Sequence, residues 1–505
     1  MTRQNRTNFA EVLLERVSSG GEPALVTAHG TTTYEELAGR VFAVARFLAG
    51  WGISPSDRVA LFLPRGTDAA AAFLGVLACG GIAVTVNESL RPRQIEHILR
   101  HSGARALVTV QEMLDRLPSR LTPVASILSL DGVPASDSFP VTPRIGGDVA
   151  HIIYTSGSTG LPKGVVVSHG NLWAGMEAVV SYLGITREDR IASLLPFSFD
   201  YGLNQLLCCL GTGASLVVES SPVPQRIIQT LRRSAATILP AVPPLWLQLL
   251  SVTSFESQPL PSLRVMTNTG GRLPTDSVRR LRACQPHASL VLMYGLTEAF
   301  RSAYLTPEKI DRKPNSVGRA IPGAELLVLD EDLAVCAASE VGELVHRGPT
   351  VAQGYWKDPE ATARVFRPNP VRPAGTPDGE RVVFSGDLVY YDDEGDLFFV
   401  GRRDGLIKSL GYRVSPDEVV DVLHASGEID EAVVVAEPDD LRGSLIVAYV
   451  VLRSGGDIEQ LKSYATVELP RYMQPARFEV RQSLDRTSSG KFDPAATARR
   501  SDADA

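Results

Sequence analysis

The sequence predicts an α/β fold that becomes α+β towards its end. It reads as a large N-terminal domain of parallel-rich sheets packed with helices plus a smaller antiparallel sheet, then a small α+β C-terminal domain. Three observations predict this. Short apolar runs alternate with helical patterns through roughly the first 300 residues, as in parallel strands crossed over by helices. From about Ala324 the apolar runs shorten and turns crowd between them, the habit of antiparallel sheet. After Gly401, Arg402, Arg403 and Asp404 the pattern restarts over about a hundred residues, a usual small-domain size. The chain therefore divides into 1–403 and 404–505. A length of 505 residues, 44% of them apolar, exceeds what one core holds and fits that division.

In order, 59–63 reads as a strand, the alanine-rich 68–79 as a helix, and 82–86 as a strand. Residues 149–154 and 165–167 read as strands on either side of a loop, the second ending at Ser168. Shorter strands follow at 326–329, 342–346, 381–384 and 397–400, and the Pro/Gly-rich 367–379 reads as an exposed loop. No internal repeat is visible, and the tail 501–505 reads as frayed.

The bulk properties exclude several function classes. A formal net charge of −7 argues against a nucleic-acid partner. The five cysteines, Cys79, Cys208, Cys209, Cys284 and Cys336, have neither metal-ligand spacing nor a paired framework. Cys208 and Cys209 sit in an apolar run and read as core. No apolar signal region follows Met1, and no uninterrupted apolar span is long enough to cross a bilayer. The expected home is the reducing cytoplasm, with no membrane partner.

The chemistry starts between 154 and 164, where Thr155, Ser156, Gly157, Ser158, Thr159, Gly160 and Lys163 follow one apolar run and precede another. Glycine lets a backbone approach closely, while hydroxyls and amide N–H groups bind phosphate oxygens. Lys163 adds positive charge. The spacing is not that of a Walker A loop, but the stretch suits a polyphosphate.

This loop resembles the phosphate loop of adenylate-forming enzymes, the superfamily of acyl-CoA synthetases, aryl-acid ligases, luciferases and nonribosomal peptide synthetase adenylation domains. The family's other motifs stand in order as far as Lys491, so the resemblance covers essentially the whole chain. It implies ATP and Mg²⁺ as cofactors and a reaction in two halves. A carboxylate attacks the α-phosphorus of ATP and releases pyrophosphate; a thiol or amine then attacks the acyl-adenylate and releases AMP.

The resemblance also implies roles for individual residues. Met293, Tyr294, Gly295, Leu296, Thr297 and Glu298 are similar to the family's Tyr-Gly-x-Thr-Glu motif. Tyr294 would stack on adenine, Thr297 would donate to the α-phosphate, and Glu298 would be a hard oxygen ligand for Mg²⁺. Gly270, Gly271 and Arg272 resemble the adenine-side Gly-Gly-Glu segment, with arginine in place of the usual acid. Asp387, after Phe384, Ser385 and Gly386, would accept from both ribose hydroxyls, and Arg402 would assist there. Asp404 would be the hinge of a mobile small domain, and Lys408 and Gly411 would belong to the segment that lines the thiol tunnel. Lys491 would bridge the carboxylate and α-phosphate during adenylation and leave for the second half-reaction. Asp485 stands where the family usually has proline.

The substrate side turns on Asp200. Many acyl-CoA synthetases carry a histidine near this point; here Phe199 and Asp200 resemble the segment of amino-acid-activating domains whose aspartate pairs with an α-ammonium. A lone carboxylate in an apolar cleft needs such a cation, although Asp200 could instead cap the next helix. The same alignment implies a pocket of Tyr201, Asn204, Trp246, Thr269, Met293, Gly295, Arg301 and Ser302. The bulk of Tyr201, Trp246 and Met293 points to a small side chain such as alanine, serine or glycine. Arg301 could reach an acidic side chain, or pair with Glu177 or Asp200. The chain ends soon after Lys491, so the expected partner is an acyl or peptidyl carrier protein acting in trans. Basic candidates for docking it are Arg402, Arg403, Arg413 and Arg471. The alternative is an acyl- or aryl-CoA synthetase using free CoA.

Overall fold

The computed structural model describes residues 7–13, 21–117, 124, 126–155, 162–273, 275–372, 375, 379–402, 406–439, 443–485 and 497–498. The expected frayed tail lies outside them. Among the described residues there are two principal sheets, of seven and fourteen strands. In the first, Ile82–Thr85, Arg58–Phe62, Ala106–Thr109 and Ser126–Ser129 are parallel, and Val149–Thr155 joins them before turning antiparallel into Lys163–Ser168. In the second, Ser215–Val218, Arg190–Ser193, Ile238–Ala241, Val265–Asn268 and Ser289–Tyr294 are parallel neighbours.

These strands form where the sequence offers short runs buried on both faces, the pattern of sheet covered on two sides. The helix Thr67–Ala78 is buried from Ala69 to Ala78 without a polar stripe, as expected of a helix enclosed by other elements. The helix Tyr34–Gly50, which packs beside it, is set by a reciprocal capping box of Thr33 and Glu36.

The antiparallel strands continue from the edge of the second sheet. The path runs through Ala303–Leu305, Ser316–Ala320, Leu397–Arg402, Arg381–Tyr391, Gly342–Arg347 and Glu325–Leu329. Arg381–Tyr391 is longer than its apolar start suggests, because the polar Ser385, Gly386 and Asp387 stay in the strand. The expected loop 367–379 is corrected at its start. Phe366–Pro368 pairs with Arg381–Tyr391, and Asn369 is buried.

The C-terminal unit has its own core, which includes Val414, Val419, Leu423, Val434, Ile446, Leu461 and Met473. It contains the hairpin Ile407–Ser409 and Tyr412–Val414, the helices Pro416–Ala425 and Ile458–Glu468, and a three-stranded sheet. A separate core is the physical mark of a domain. No helix among the described residues is long and apolar enough to cross a membrane.

Candidate active site

A cavity of about 100 Å³ opens where the parallel strands of both sheets end. Thr85 and Thr155 close two strands of the first sheet; Asp200, Thr269 and Gly295 follow three strands of the second. Ligands of open α/β sheets collect at such carboxyl ends, where the loops diverge. Lys408, Gly411, Tyr412, Glu418 and Tyr472 of the C-terminal unit form the remaining wall.

The expected phosphate loop falls between two antiparallel strands, Val149–Thr155 and Lys163–Ser168. Thr155 pairs with Lys163 across antiparallel strands, while Ser156, Gly157, Ser158, Thr159 and Gly160 lie outside the described residues. Lys163 Nζ sits 5.6 Å from the centre of the Tyr355 ring, and the Tyr355 hydroxyl donates to Glu298 Oε1 at 2.8 Å. Burial lowers the Lys163 pKa, against a smaller raising by Asp358, a lowering by Arg364 and a raising by Glu298. Glu298 is 4% exposed, and Thr297 before it lines the cavity. Among the described residues no three His, Cys, Asp or Glu side chains gather to hold a metal. One carboxylate beside a polyphosphate loop fits Mg²⁺, which keeps water and phosphate oxygens as most of its ligands.

Among the residues expected at adenine and ribose, the Tyr294 hydroxyl donates to Asp387, and the Arg402 guanidinium donates to the other Asp387 oxygen. Asp387 is fully buried, so it is not a surface charge beside a turn. Arg402 is largely buried in this ion pair, its side chain 8% exposed. Tyr294 stacks on His346 with ring centres 6.0 Å apart, and Lys408 Nζ lies 5.7 Å from the Tyr294 ring centre. Gly270 lines the cavity. Gly271 accepts from Asn268 Nδ2 at 3.1 Å through its carbonyl. Arg272 is exposed and donates to Asn315 at 2.7 Å, away from the cleft.

Lys408 and Gly411 are placed by a tight hairpin. Ser409 pairs with Tyr412, and both residues between them have positive φ, 52° at Leu410 and 87° at Gly411. That is the backbone of a two-residue type I′ turn. Its tip packs into the cleft, where a Cβ on Gly411 would meet Val242 at 3.2 Å and one on Gly270 would meet the Gly411 carbonyl oxygen at 3.4 Å. Asp404 and Lys491 lie outside the described residues, as do Arg403 and the side chain of Arg413; Arg471 is exposed.

Asp200 opens the helix Asp200–Thr212 and takes the Tyr201 N–H at 2.7 Å, where the helix dipole favours a carboxylate. Its Oδ2 lies 3.6 Å from Arg301 Nη1, with both side chains buried. Arg301 therefore pairs with Asp200, while Glu177 is exposed. The Arg301 guanidinium sits 4.9 Å from the centre of the Tyr201 ring, and the Tyr201 hydroxyl donates to the Thr267 carbonyl oxygen at 3.1 Å.

Of the expected substrate residues, Asp200, Thr269, Gly295 and Arg301 line the cavity. Asn204, Met293 and Ser302 are buried behind it. Trp246 belongs to a core between the helix Pro243–Leu250 and the sheet, fully buried. Sequence reasoning missed Asn87, Gln94, Glu418 and Tyr472 on the walls. Asn87 follows the end of the strand Ile82–Thr85, a position that strand-end logic could have flagged.

The sequence profile of the AMP-binding enzyme family matches residues 15–356, and that of the AMP-binding enzyme C-terminal domain matches 418–491. Novobiocin biosynthesis protein H of Streptomyces niveus is 31% identical over 496 residues, covering 95% of this chain and 80% of that protein. Tyrocidine synthase 2 of Brevibacillus parabrevis is 31% identical over 480 residues, 93% of this chain but 13% of the synthase. Two solved structures are similar over nearly their full length. The o-succinylbenzoate CoA synthetase of Bacillus subtilis has a TM-score of 0.87 at 26% identity, covering 98% of this chain and 99% of that one. The amide bond synthetase McbA of Marinactinospora thermotolerans has a TM-score of 0.86 at 27% identity, covering 97% and 98%.

Proposed function

This chain belongs to the AMP-binding enzyme family, and from that premise we propose that it adenylates a small amino acid and passes it to a carrier-linked acceptor. It is an AMP-forming ligase that uses ATP. In our reading the phosphate loop and Lys163 hold the polyphosphate, and Thr297 donates to the α-phosphate. Asp387 and Arg402 hold the ribose, and Tyr294 the adenine. Glu298 would hold Mg²⁺ together with ATP oxygens, and the ion would neutralise charge on the phosphates. Lys491 enters for adenylation on a domain that spans 404–505 and turns at Asp404. The Leu410–Gly411 tip takes its place when the acceptor arrives.

The observation that carries the amino acid reading is Asp200, a carboxylate 4% exposed on the cavity wall. Arg301 Nη1 stands 3.6 Å from its Oδ2, and an α-ammonium reaching this wall would form a charge-assisted hydrogen bond with the carboxylate. The acceptor is a phosphopantetheine thiol or an amine already carried by a carrier protein. Likeness to novobiocin biosynthesis protein H and tyrocidine synthase 2 supports a role in secondary-metabolite assembly.

A second reading is favoured by the same distance. If groups of the protein, Arg301 among them, answer the charge of Asp200, that carboxylate is structural and the enzyme is an acyl- or aryl-CoA synthetase. ATP–pyrophosphate exchange against common amino acids and their deaminated analogues separates the two. Exchange with amino acids, abolished by Asp200→Asn, is the expected result. Exchange with deaminated acids alone, indifferent to that substitution, refutes the amino acid reading.

A further inference from the structure

We infer that the acid activated here carries a second carboxylate, and that Arg301 binds it. This rests on the adenylation reading and names the substrate class of that site. Arg301 is 3% exposed and lines the cavity. A guanidinium has five N–H donors in a planar fork. Among the described residues its Nε and Nη2 have no hydrogen-bond partner, and Nη1 faces Asp200 at 3.6 Å. One turn along from Asp200, on the same helix face, Asn204 is also buried, and among the described residues its Nδ2 has no partner either. Buried donors left unpaired are costly and rare in native proteins. Arg301 Nε and Nη2 can only donate, so the missing component at this guanidinium is an acceptor. A carboxylate offers two oxygens in the geometry a guanidinium fork prefers.

The backbone aims this side chain. Arg301 N–H donates to the Ala299 carbonyl oxygen at 2.6 Å across Phe300, and Phe300 sits at φ 54°, ψ −50°. That is a γ-turn of the rare positive-φ kind, which an aromatic residue adopts only at a cost. Such strain persists where surrounding structure holds it, commonly at ligand sites. Phe300 is 1% exposed, packed in the main core, and the turn delivers the next residue to the cavity wall. The guanidinium then lies against the Tyr201 ring, which fixes its plane. Asp200 and Arg301 together make a site with both signs. An amine would face the aspartate and a second carboxylate the arginine, while the activated carboxylate points towards Thr297.

The test is ATP–pyrophosphate exchange by the full-length enzyme with matched acids. Aspartate is compared with asparagine, glutamate with glutamine, succinate with butyrate, and alanine stands as the small neutral amino acid. We expect a dicarboxylate to exceed its amide or monocarboxylate partner by about 10- to 100-fold in kcat/KM, the range for a hydrogen bond to a charged group. Arg301→Met should bring that ratio close to one through KM, and Arg301→Lys should leave it intermediate, both with folding checked by melting. Should Arg301→Met not fold, the wild-type ratios and Arg301→Lys still decide. Neutral acids exchanging as well as their dicarboxylate partners overturn this inference and leave adenylation standing. Exchange with no acid at all overturns the adenylation reading and this inference with it. The aspartate and succinate arms separately report whether the amine matters, which bears on Asp200 alone.

Discussion

Replacing Glu418 with glutamine is expected to remove a pH-dependent weakness where the C-terminal unit meets the large domain. Glu418 is 4% exposed, and its Oε1 accepts one long hydrogen bond, 3.4 Å, from Gln94 Nε2. Its Oε2 has no hydrogen-bond partner among the described residues. Burial is the main influence and pushes the carboxyl up from 4.5 to about 7; the Gln94 bond lowers it, Asp421 raises it and Arg93 lowers it. A change of that size is worth about 3 kcal/mol between the protonated and ionised forms. The docked carboxyl holds its proton to about pH 7, whereas an exposed one loses it near 4.5. Between those values the docked form binds more protons, so its stability is full below about 4.5, falls as pH rises and stays low above about 7. Glutamine mimics the protonated side chain at every pH. Melting curves at about pH 5 and about pH 8 test this. Glu418→Gln should melt a few degrees above wild type at the higher pH, since about 1 kcal/mol shifts a large domain by about 2–4 °C. The gap should close at the lower pH. Equal dependence on pH in both proteins would refute the reasoning, as would a variant that is less stable throughout.

Three further outcomes are expected. Asp387→Asn removes the buried carboxylate that Arg402 pairs with, so the protein should lose about 3 kcal/mol in denaturant unfolding and the KM for ATP should rise. Gly411→Val forces a β-branched residue to φ 87° and against Val242, and acyl transfer should slow by about tenfold or more while pyrophosphate exchange changes less. Lys491→Ala should cut exchange by about 10²- to 10³-fold, with transfer from preformed acyl-adenylate largely kept.

Much of this architecture is legible because its signals are local. The strand 58–62, the alanine helix after it and the strand from Ile82 are each announced by a short apolar run and its punctuation. The expected phosphate loop is announced in the sequence by hydroxyls, glycines and a lysine crowding one connection, and its residues 156–160 lie outside the described ones. What was not legible depends on where a side chain points. Trp246 was assigned to the pocket, but a buried indole on the helix Pro243–Leu250 serves a core equally well, and its direction is set by packing. Arg272 follows two glycines in the adenine-side segment, yet Asn315, forty-three positions later, draws it to the surface. Arg402 was expected both at the ribose and as a cation for docking a carrier, and strand pairing sets it opposite Asp387. Glu418 carried no motif at all, since only tertiary packing against Gln94 buries it.

The pairing of Asp387, Tyr294 and Arg402 constrains how ATP enters. In this structure the groups proposed for adenine and ribose bond to one another, and Lys408 lies over the Tyr294 ring. A carboxylate has about four acceptor sites, and the hydroxyl and the guanidinium take two of them. Ribose hydroxyls can therefore join Asp387 without displacing Arg402. The ring face is different, because Lys408 Nζ lies against it in this structure. In our reading an adenine on Tyr294 turns the flexible Lys408 side chain off that face, while the hairpin backbone keeps Gly411 against Val242 and Gly270. The nucleotide base then contends with one side chain and not with the whole hairpin. A bound acyl-adenylate and the proposed acceptor channel can therefore coexist, as the second half-reaction requires.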